Sequence, residues 1–334
     1  MADQHQETPP TQVTRPFLYG GQAVMEGVMI RGRDFACVAV RRPNGELTSR
    51  VSRLSGLYTG PVRRIPFARG VVVLAETLVL GMRSLVYSTN VALEEEGEET
   101  ELSGLGVALL IATSMAFAIG LFFLLPLFIS AVFERFVESG LLSNIVEGVV
   151  RLGVFLLYIW GIGYIPDIRR VFAYHGAEHM TVKAHEAGDP LEIGSIRKYS
   201  TAHPRCGTAF LLVVMVLAIF VFALLGRPPL VWLILSRVVL LPVIAALAYE
   251  VIRFSGMHQG NPLVRLITEP SLALQALTTR QPEDDQIEVA IHAMNLAMAA
   301  DEGRELPVDS KPVKPKIEDA PPESDTVQGD QPQT

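Results

Sequence analysis

The stretch Gly207–Glu250, GTAFLLVVMVLAIFVFALLGRPPLVWLILSRVVLLPVIAALAYE, decides the fold. Its first leg, Gly207–Leu225, holds no charge, and its second, Leu230–Tyr249, holds only Arg237. Each leg approaches the roughly 20 apolar residues that a helix needs to cross a bilayer. The four residues between them, Gly-Arg-Pro-Pro, permit only a tight reversal. The spacing therefore predicts a transmembrane helical hairpin.

Working outward, two further segments meet the same test. Leu105–Phe133 has length to spare and can absorb Pro126 as a kink or an end, while Gly148–Ile165 is shorter and carries Arg151. An arginine in an apolar helix is costly unless it faces protein or snorkels to an interface, so Arg151 and Arg237 read either as anchors or as functional groups. The composition agrees with insertion: 49% of the residues are hydrophobic and the mean hydropathy is +0.33. Lysines and arginines set the orientation. The 134–147 connection has Arg135 and the hairpin turn has Arg227, whereas Pro166–Cys206 holds Arg169, Arg170, Lys183, Arg197, Lys198 and Arg205. By the positive-inside rule that loop is cytoplasmic, and so are both termini. The expected protein is mainly α and polytopic, with about four transmembrane helices, in the inner (plasma) membrane.

The net charge of −7 hides an asymmetry. Glu94–Glu101 carries six acids and no base, and Glu283–Thr334 carries thirteen acids against four bases, so the remaining body is basic. A basic body suits anionic lipid or a negatively charged substrate at the membrane surface. No basic stretch is interleaved with aromatics, which argues against nucleic acid as a partner. Cys37 and Cys206 are far apart and form no CxxC pair, so neither a disulfide framework nor a zinc ribbon is expected. The N-terminus has no apolar region of the kind found in a cleaved signal.

The remaining chain divides by pattern. Residues 1–16 read as disordered. Residues 17–60 read as a small β-rich cytoplasmic element, because apolar alternation flanks the turn Pro43-Asn44-Gly45. Residues 61–104 hold Val71–Tyr87, read as an interfacial or re-entrant helix or one packed against the spans, with a fifth crossing less favoured, followed by the acidic linker. Residues 105–165 form the first transmembrane pair, 166–206 a cytoplasmic loop and 207–252 the hairpin. Residues 253–304 begin as an irregular or short-helical surface segment. They end in a helix from Pro282, whose Ile287, Ala290, Ile291, Met294 and Met298 fall at helical spacing and dock on the cytoplasmic domain. The Pro- and charge-rich tail, 305–334, reads as disordered.

Chemistry concentrates in the 166–206 loop. His175-Gly-Ala-Glu178-His179 is H-x-x-E-H, the inverted zincin pattern. On a helix, residues four apart share a face, so both imidazoles can approach one metal, and Glu178 beside them is placed to take a proton from water. His203 and Cys206 fall at the cytoplasmic entrance of the third span and Glu250 at the exit of the fourth, all at one expected depth. Imidazole, thiolate and carboxylate are the ligand types of zinc or another divalent metal. Two imidazoles and one further ligand make an open, catalytic site, whereas four protein ligands make a closed, structural one; Glu178 favours the open form. The glycine-rich Tyr19–Gly32 stretch lacks the lysine of a phosphate loop, so Gly20, Gly21, Gly27 and Gly32 read as turn or close-approach positions. Glu26 within it is either a further site carboxylate or an exposed strand residue.

The blocks GGQAVMEGVMIRG (Gly20–Gly32), YHGAEH (Tyr174–His179), HPRCGTAFLL (His203–Leu212), AYEVIR (Ala248–Arg253) and LQALTTRQPEDDQIEVAI (Leu274–Ile291) occur in this order. Together they resemble the YqhQ-like family of uncharacterised bacterial membrane proteins, described as predicted metal-dependent enzymes. The resemblance runs from Phe17 to Ala300 and implies that His175, Glu178, His179, His203, Cys206 and Glu250 belong to the family's proposed site. Met180 stands where the family commonly has lysine, and the serine expected near Ala209 is absent; neither change removes a proposed ligand. The expected function is a membrane-embedded zinc hydrolase working on a membrane-associated peptide or lipid. Its rivals are a metal-binding scaffold without activity and a transporter, the latter short of a polar path through the spans.

Overall fold

The computed structural model of the protein describes residues 17–55, 60, 65–93, 104–134, 139–226, 229–258 and 261–304. The expected disordered ends and acidic linker lie outside the described residues, as do Arg135 and Arg227. The chain is mainly helical, with one small sheet near its N-terminus.

That sheet is an antiparallel meander of β1 (Gly20–Val24), β2 (Gly27–Arg31), β3 (Phe35–Arg41) and β4 (Leu47–Arg53), in sequence order. Gly45 adopts φ +86° and its N–H donates to Arg42 O, which turns the β3–β4 hairpin where Pro-Asn-Gly predicts it. Only two residues join β1 to β2, and Glu26 in that turn takes φ 49°, a left-handed conformation uncommon for a residue with a side chain. Its carboxylate is held there by Arg170, at 2.7 and 2.6 Å, and by the Tyr174 hydroxyl at 3.2 Å. Glu26 is thus a structural clamp, neither of the two roles its position in the sequence offers.

Successive strand residues point to opposite faces, and both faces are covered. One face, with Tyr19, Val28, Ile30, Cys37, Ala39 and Leu47, packs on α5 (Pro166–Ala187) and α10 (Asp284–Glu302). The other, with Val24, Met29, Ala36, Val38 and Val40, packs on Leu80, Tyr87 and Val91 of α1 (Ala68–Ala92). Helix α10 begins at a reciprocal cap between Glu283 and Gln286, two residues past the expected start. Its Ile287, Ala290 and Met294 are fully buried, so it docks on the sheet as its periodicity requires. At its far end Asp301 accepts the Asp34 N–H at 2.9 Å, and a Cβ on Gly32 would collide with this carboxylate.

Among the described residues five helices are long and apolar enough to cross a membrane: α1, the rod Gly104–Phe133, α4 (Gly140–Ile162), α7 (Gly207–Leu225) and most of α8 (Leu230–Met257). The rod is α2 (Gly104–Ile119) and α3 (Leu125–Glu134) joined by a π-helical turn, Gly120–Leu124. Pro126 has no N–H to give the Phe122 carbonyl four residues back, and Arg151 Nε takes that carbonyl at 3.0 Å. Large apolar side chains such as Leu105, Phe128, Leu224 and Val231 stand more than 70% exposed on this bundle, a surface consistent with a membrane protein.

Three expectations change. Helix α4 starts at Gly140, eight residues before the expected span, because Ser143, Asn144 and Glu147 break the apolar pattern yet are buried against neighbouring helices. Glu147 pairs with Arg151 at 2.6 Å and with Arg237 at 2.8 Å, so the two arginines of these apolar helices share one carboxylate. Helix α1 is longer than Val71–Tyr87. Its first turn lies on α8, with Gly70 against Ala246 and Tyr249, and its remainder covers the sheet through Glu76–Arg31 (2.9 Å) and Ser88 Oγ, which accepts the Met25 N–H at 3.2 Å. Finally, Pro262–Thr278 is a continuous helix, α9, despite Pro270. The short α6 (Ile193–Ile196) completes the set.

Candidate metal centre

Helix α5 begins with Pro166 in its first turn and ends at Gly188, φ +77°, which closes it with a left-handed cap. Its central turns are buried on nearly every side, between the sheet, α10 and the loop that leads to α7. His175 and His179 sit one turn apart, ring centroids 4.3 Å from each other. Cys206, the N-cap of α7, meets them: its Sγ lies 3.2 Å from His175 Nε2 and accepts the Thr208 N–H at 3.4 Å. One donor atom from each of His175, His179 and Cys206 lies within 4.8 Å of the other two.

The outward ring nitrogens fix the tautomers. His175 Nδ1 lies 2.9 Å from the Thr278 carbonyl and His179 Nδ1 lies 2.6 Å from the Thr201 carbonyl. A carbonyl oxygen only accepts, so each Nδ1 carries the proton and each Nε2 keeps its lone pair. Gly176 makes the first of these bonds possible. A Cβ there would fall inside 3.0 Å of the Arg280 carbonyl, and Arg280 N–H in turn donates to Phe172 O at 2.9 Å. The segment leaving α9 runs directly along α5 and brings Thr278 to His175.

Glu178 is 4% exposed and sits beside this group, Oε2 3.5 Å from His179 Nε2. Burial raises its carboxyl above the usual range, countered by His175, His203 and the Gly21 N–H, which donates to it. Burial pushes the His179 imidazole down, against the pull of Cys206, and pushes His203 down as well. All four groups line a cavity of about 620 Å³ whose wall includes residues 18–23 along β1, Phe172 of α5, Ile159 of α4 and Leu211 of α7.

The expected site residues do not all converge. His175, Glu178, His179 and Cys206 do. His203 stands one ring farther out, 5.4 Å between centroids from His179. Its Nδ1 accepts the Arg205 N–H at 3.3 Å, its Nε2 lies 3.7 Å from Glu186, and Gln275 clamps its backbone through bonds of 2.7 and 2.8 Å. With both ring nitrogens so engaged, His203 borders the donor group rather than joining it. Glu250 is elsewhere: its carboxylate binds Arg69, Nε at 2.7 Å, and accepts the Phe67 N–H at 3.1 Å. Glu250 is expected at the end of its helix, but α8 runs on to Met257, and nothing local to Glu250 foretells that α1 arrives with a cation. Thr201, Thr278 and Gln275, which orient the histidines through backbone carbonyls or amide contacts, carry no motif of their own; only the glycine at 176 marks the close approach.

An apolar helical bundle thus carries a small α/β cap that holds two imidazoles, a thiol and a carboxyl. Residues 65–300 match the family described as "Protein of unknown function (DUF1385)", and the chain belongs to it. It is 33% identical over 292 residues to the "Uncharacterized protein YqhQ" of Bacillus subtilis (strain 168), covering 84% of this chain and 92% of that one. No solved structure matches it.

Proposed function

We propose that the protein is a metal-dependent hydrolase of the inner membrane with its site at the cytoplasmic face. In this reading α2–α3, α4, α7 and α8 are the four spans, both termini are cytoplasmic, and α1 is a connecting helix at the interface. The observation that carries the proposal is the donor geometry: three soft or borderline donors, His179 and Cys206 buried and His175 half-buried, gathered within 4.8 Å, with both imidazoles oriented by carbonyls on their far nitrogens. Metal-ligating histidines characteristically have such an outer partner. The donor set suits zinc, and His175, His179 and Cys206 would hold it. Zinc, when bound, would act as a Lewis acid toward a carbonyl and toward water.

The chain's own residues do the rest. Glu178, buried and raised in pKa, stands next to the donors where it takes a proton from the attacking water and returns it to the leaving group. His203 and Glu186, lying between the donors and solvent, hold a proton at His203 Nε2. The apolar walls at Ile159 and Leu211 keep bulk water from the substrate side.

The test is Glu178→Gln in detergent-purified protein, with zinc measured by elemental analysis and hydrolysis followed on peptide and ester probes. Near-stoichiometric zinc in both proteins with turnover only in the wild type supports the reading. Equal turnover refutes the general-base role. Absence of zinc from both removes the metal, and full complementation by a Glu178→Gln chain points instead to a scaffold.

A further inference from the structure

We propose that the site takes an extended apolar peptide, paired as an added strand on the free edge of β1; this rests on the hydrolase reading and names its substrate class.

β1 is the outermost strand, with β2 its sole neighbour in the sheet. Its other edge faces the cavity that contains the donor group, and residues 18–23 line that cavity continuously. The outward peptide groups can be assigned. The Met25 N–H donates to Ser88 Oγ at 3.2 Å, away from β2, and Glu178 lies beside Gly21. Peptide groups of alternate strand residues turn to the same side, and the β1–β2 register runs without a bulge, so the Ala23 N–H faces this side too. Among the described residues nothing accepts from it. Buried or half-buried backbone donors are nearly always paired, and an exposed edge is the surface on which extended peptides add. Gly20 and Gly21 are exposed and without side chains, so a second backbone can lie against them.

The rest of the wall selects the peptide over a phospholipid. The one lysine or arginine lining the cavity is Arg205, and its guanidinium is bonded to Glu186. Among the described residues no unpaired lysine or arginine remains there for a phosphate. Leu18, Ile159, Ile162, Val171, Phe172 and Leu211 instead offer apolar pockets, and Leu211 lies in the first turns of a candidate span. A cavity of about 620 Å³ falls within the roughly 300–1,000 Å³ of ordinary ligand sites. The geometry therefore fits the cytoplasmic end of a membrane-anchored chain as it leaves the bilayer. Hydrolysis would break the peptide C–N bond and form a C–O bond from water. Glu178 would pass one proton of that water to the leaving nitrogen, giving an amine and a carboxylic acid, which together exist as ammonium and carboxylate, with no other reactant.

Binding is tested apart from turnover. Glu178→Gln protein in detergent, loaded with zinc, is titrated with a fluorescein-labelled octapeptide of alternating valine and alanine. A second titration uses the same peptide N-methylated at every other residue, which keeps the side chains but cannot pair. Pairing predicts at least a tenfold weaker affinity for the N-methylated peptide. It predicts a similar loss for the parent peptide when Ala23→Pro is added, zinc content being unchanged. Equal affinity of the two peptides overturns the inference, as does binding of a fluorescent phosphatidylglycerol with no binding of either peptide. If the peptide binds as described but wild-type protein never cleaves it, the strand-pairing inference stands and the hydrolase reading falls. If wild-type protein cleaves an ester probe but binds no peptide, the reverse holds.

Discussion

Gly176→Ala separates helix propensity from the packing that orients His175. In an isolated helix the change stabilises by about 1 kcal/mol. Here the new methyl meets the Arg280 carbonyl inside 3.0 Å and the Thr201 Cγ2 at 3.1 Å, and the first of these is backbone. Restoring ordinary contact moves the segment after α9 by roughly 1 Å, an overpacking that costs about 1–3 kcal/mol, so the net effect is neutral to destabilising by about 2 kcal/mol. Because Thr278 lies two residues before Arg280, its 2.9 Å bond to His175 Nδ1 is the contact that suffers. Loss of such an outer partner weakens metal affinity by about 10–100-fold. Chelator-competition titrations for zinc, with thermal unfolding on the same samples, measure both. An alanine variant that melts higher than the wild type and binds zinc equally well would refute the packing argument and leave only propensity.

Glu147→Gln leaves Arg151 and Arg237 without the carboxylate they share inside the bundle, and breaking a buried pair costs about 3–5 kcal/mol. A large fall in thermal stability in detergent is expected, and an unchanged melt would mean that the pair carries no weight. Glu250→Gln removes the Arg69 contact, so it lowers stability while leaving zinc content at the wild-type level; lost zinc would return Glu250 to the site. For metal-free protein, burial holds His179, His185 and His203 below their ordinary 6.5, so the unfolded chain binds more protons as pH falls through 6.5. Stability is then present above that pH and is lost below it. Glu178, raised above its ordinary 4.5, opposes this, since its contribution is full below 4.5 and lost as pH rises through its folded value, but it is one group against three. Equal melting temperatures at pH 5.5 and 7.5 would contradict the sign.

How much of this was legible depended on the range of the interaction. The hairpin, the long apolar rod, the β turn at Gly45 and the docking face of α10 follow from local periodicity and capping, and each is present. The pairing of His175 with His179 follows from helical repeat alone. What escaped was set by distant partners. The polar start of α4 reads as a loop until Arg237, ninety residues on, supplies a charge for Glu147. The α9 helix is hidden by Pro270, and the fate of Glu250 was decided by Arg69, far away in sequence. His203 was grouped with the donors by proximity along the chain, whereas Glu186 and Gln275 fix its orientation.

Cys206 caps a helix of 19 residues, which at 1.5 Å per residue spans about 28 Å, close to the roughly 30 Å of a bilayer's hydrocarbon. In the proposed membrane setting the sulfur sits at one end of that span, while its two partners belong to a helix packed on the sheet. A change in bilayer thickness would then shift the α7 terminus relative to α5, and with it the separation of the three donors.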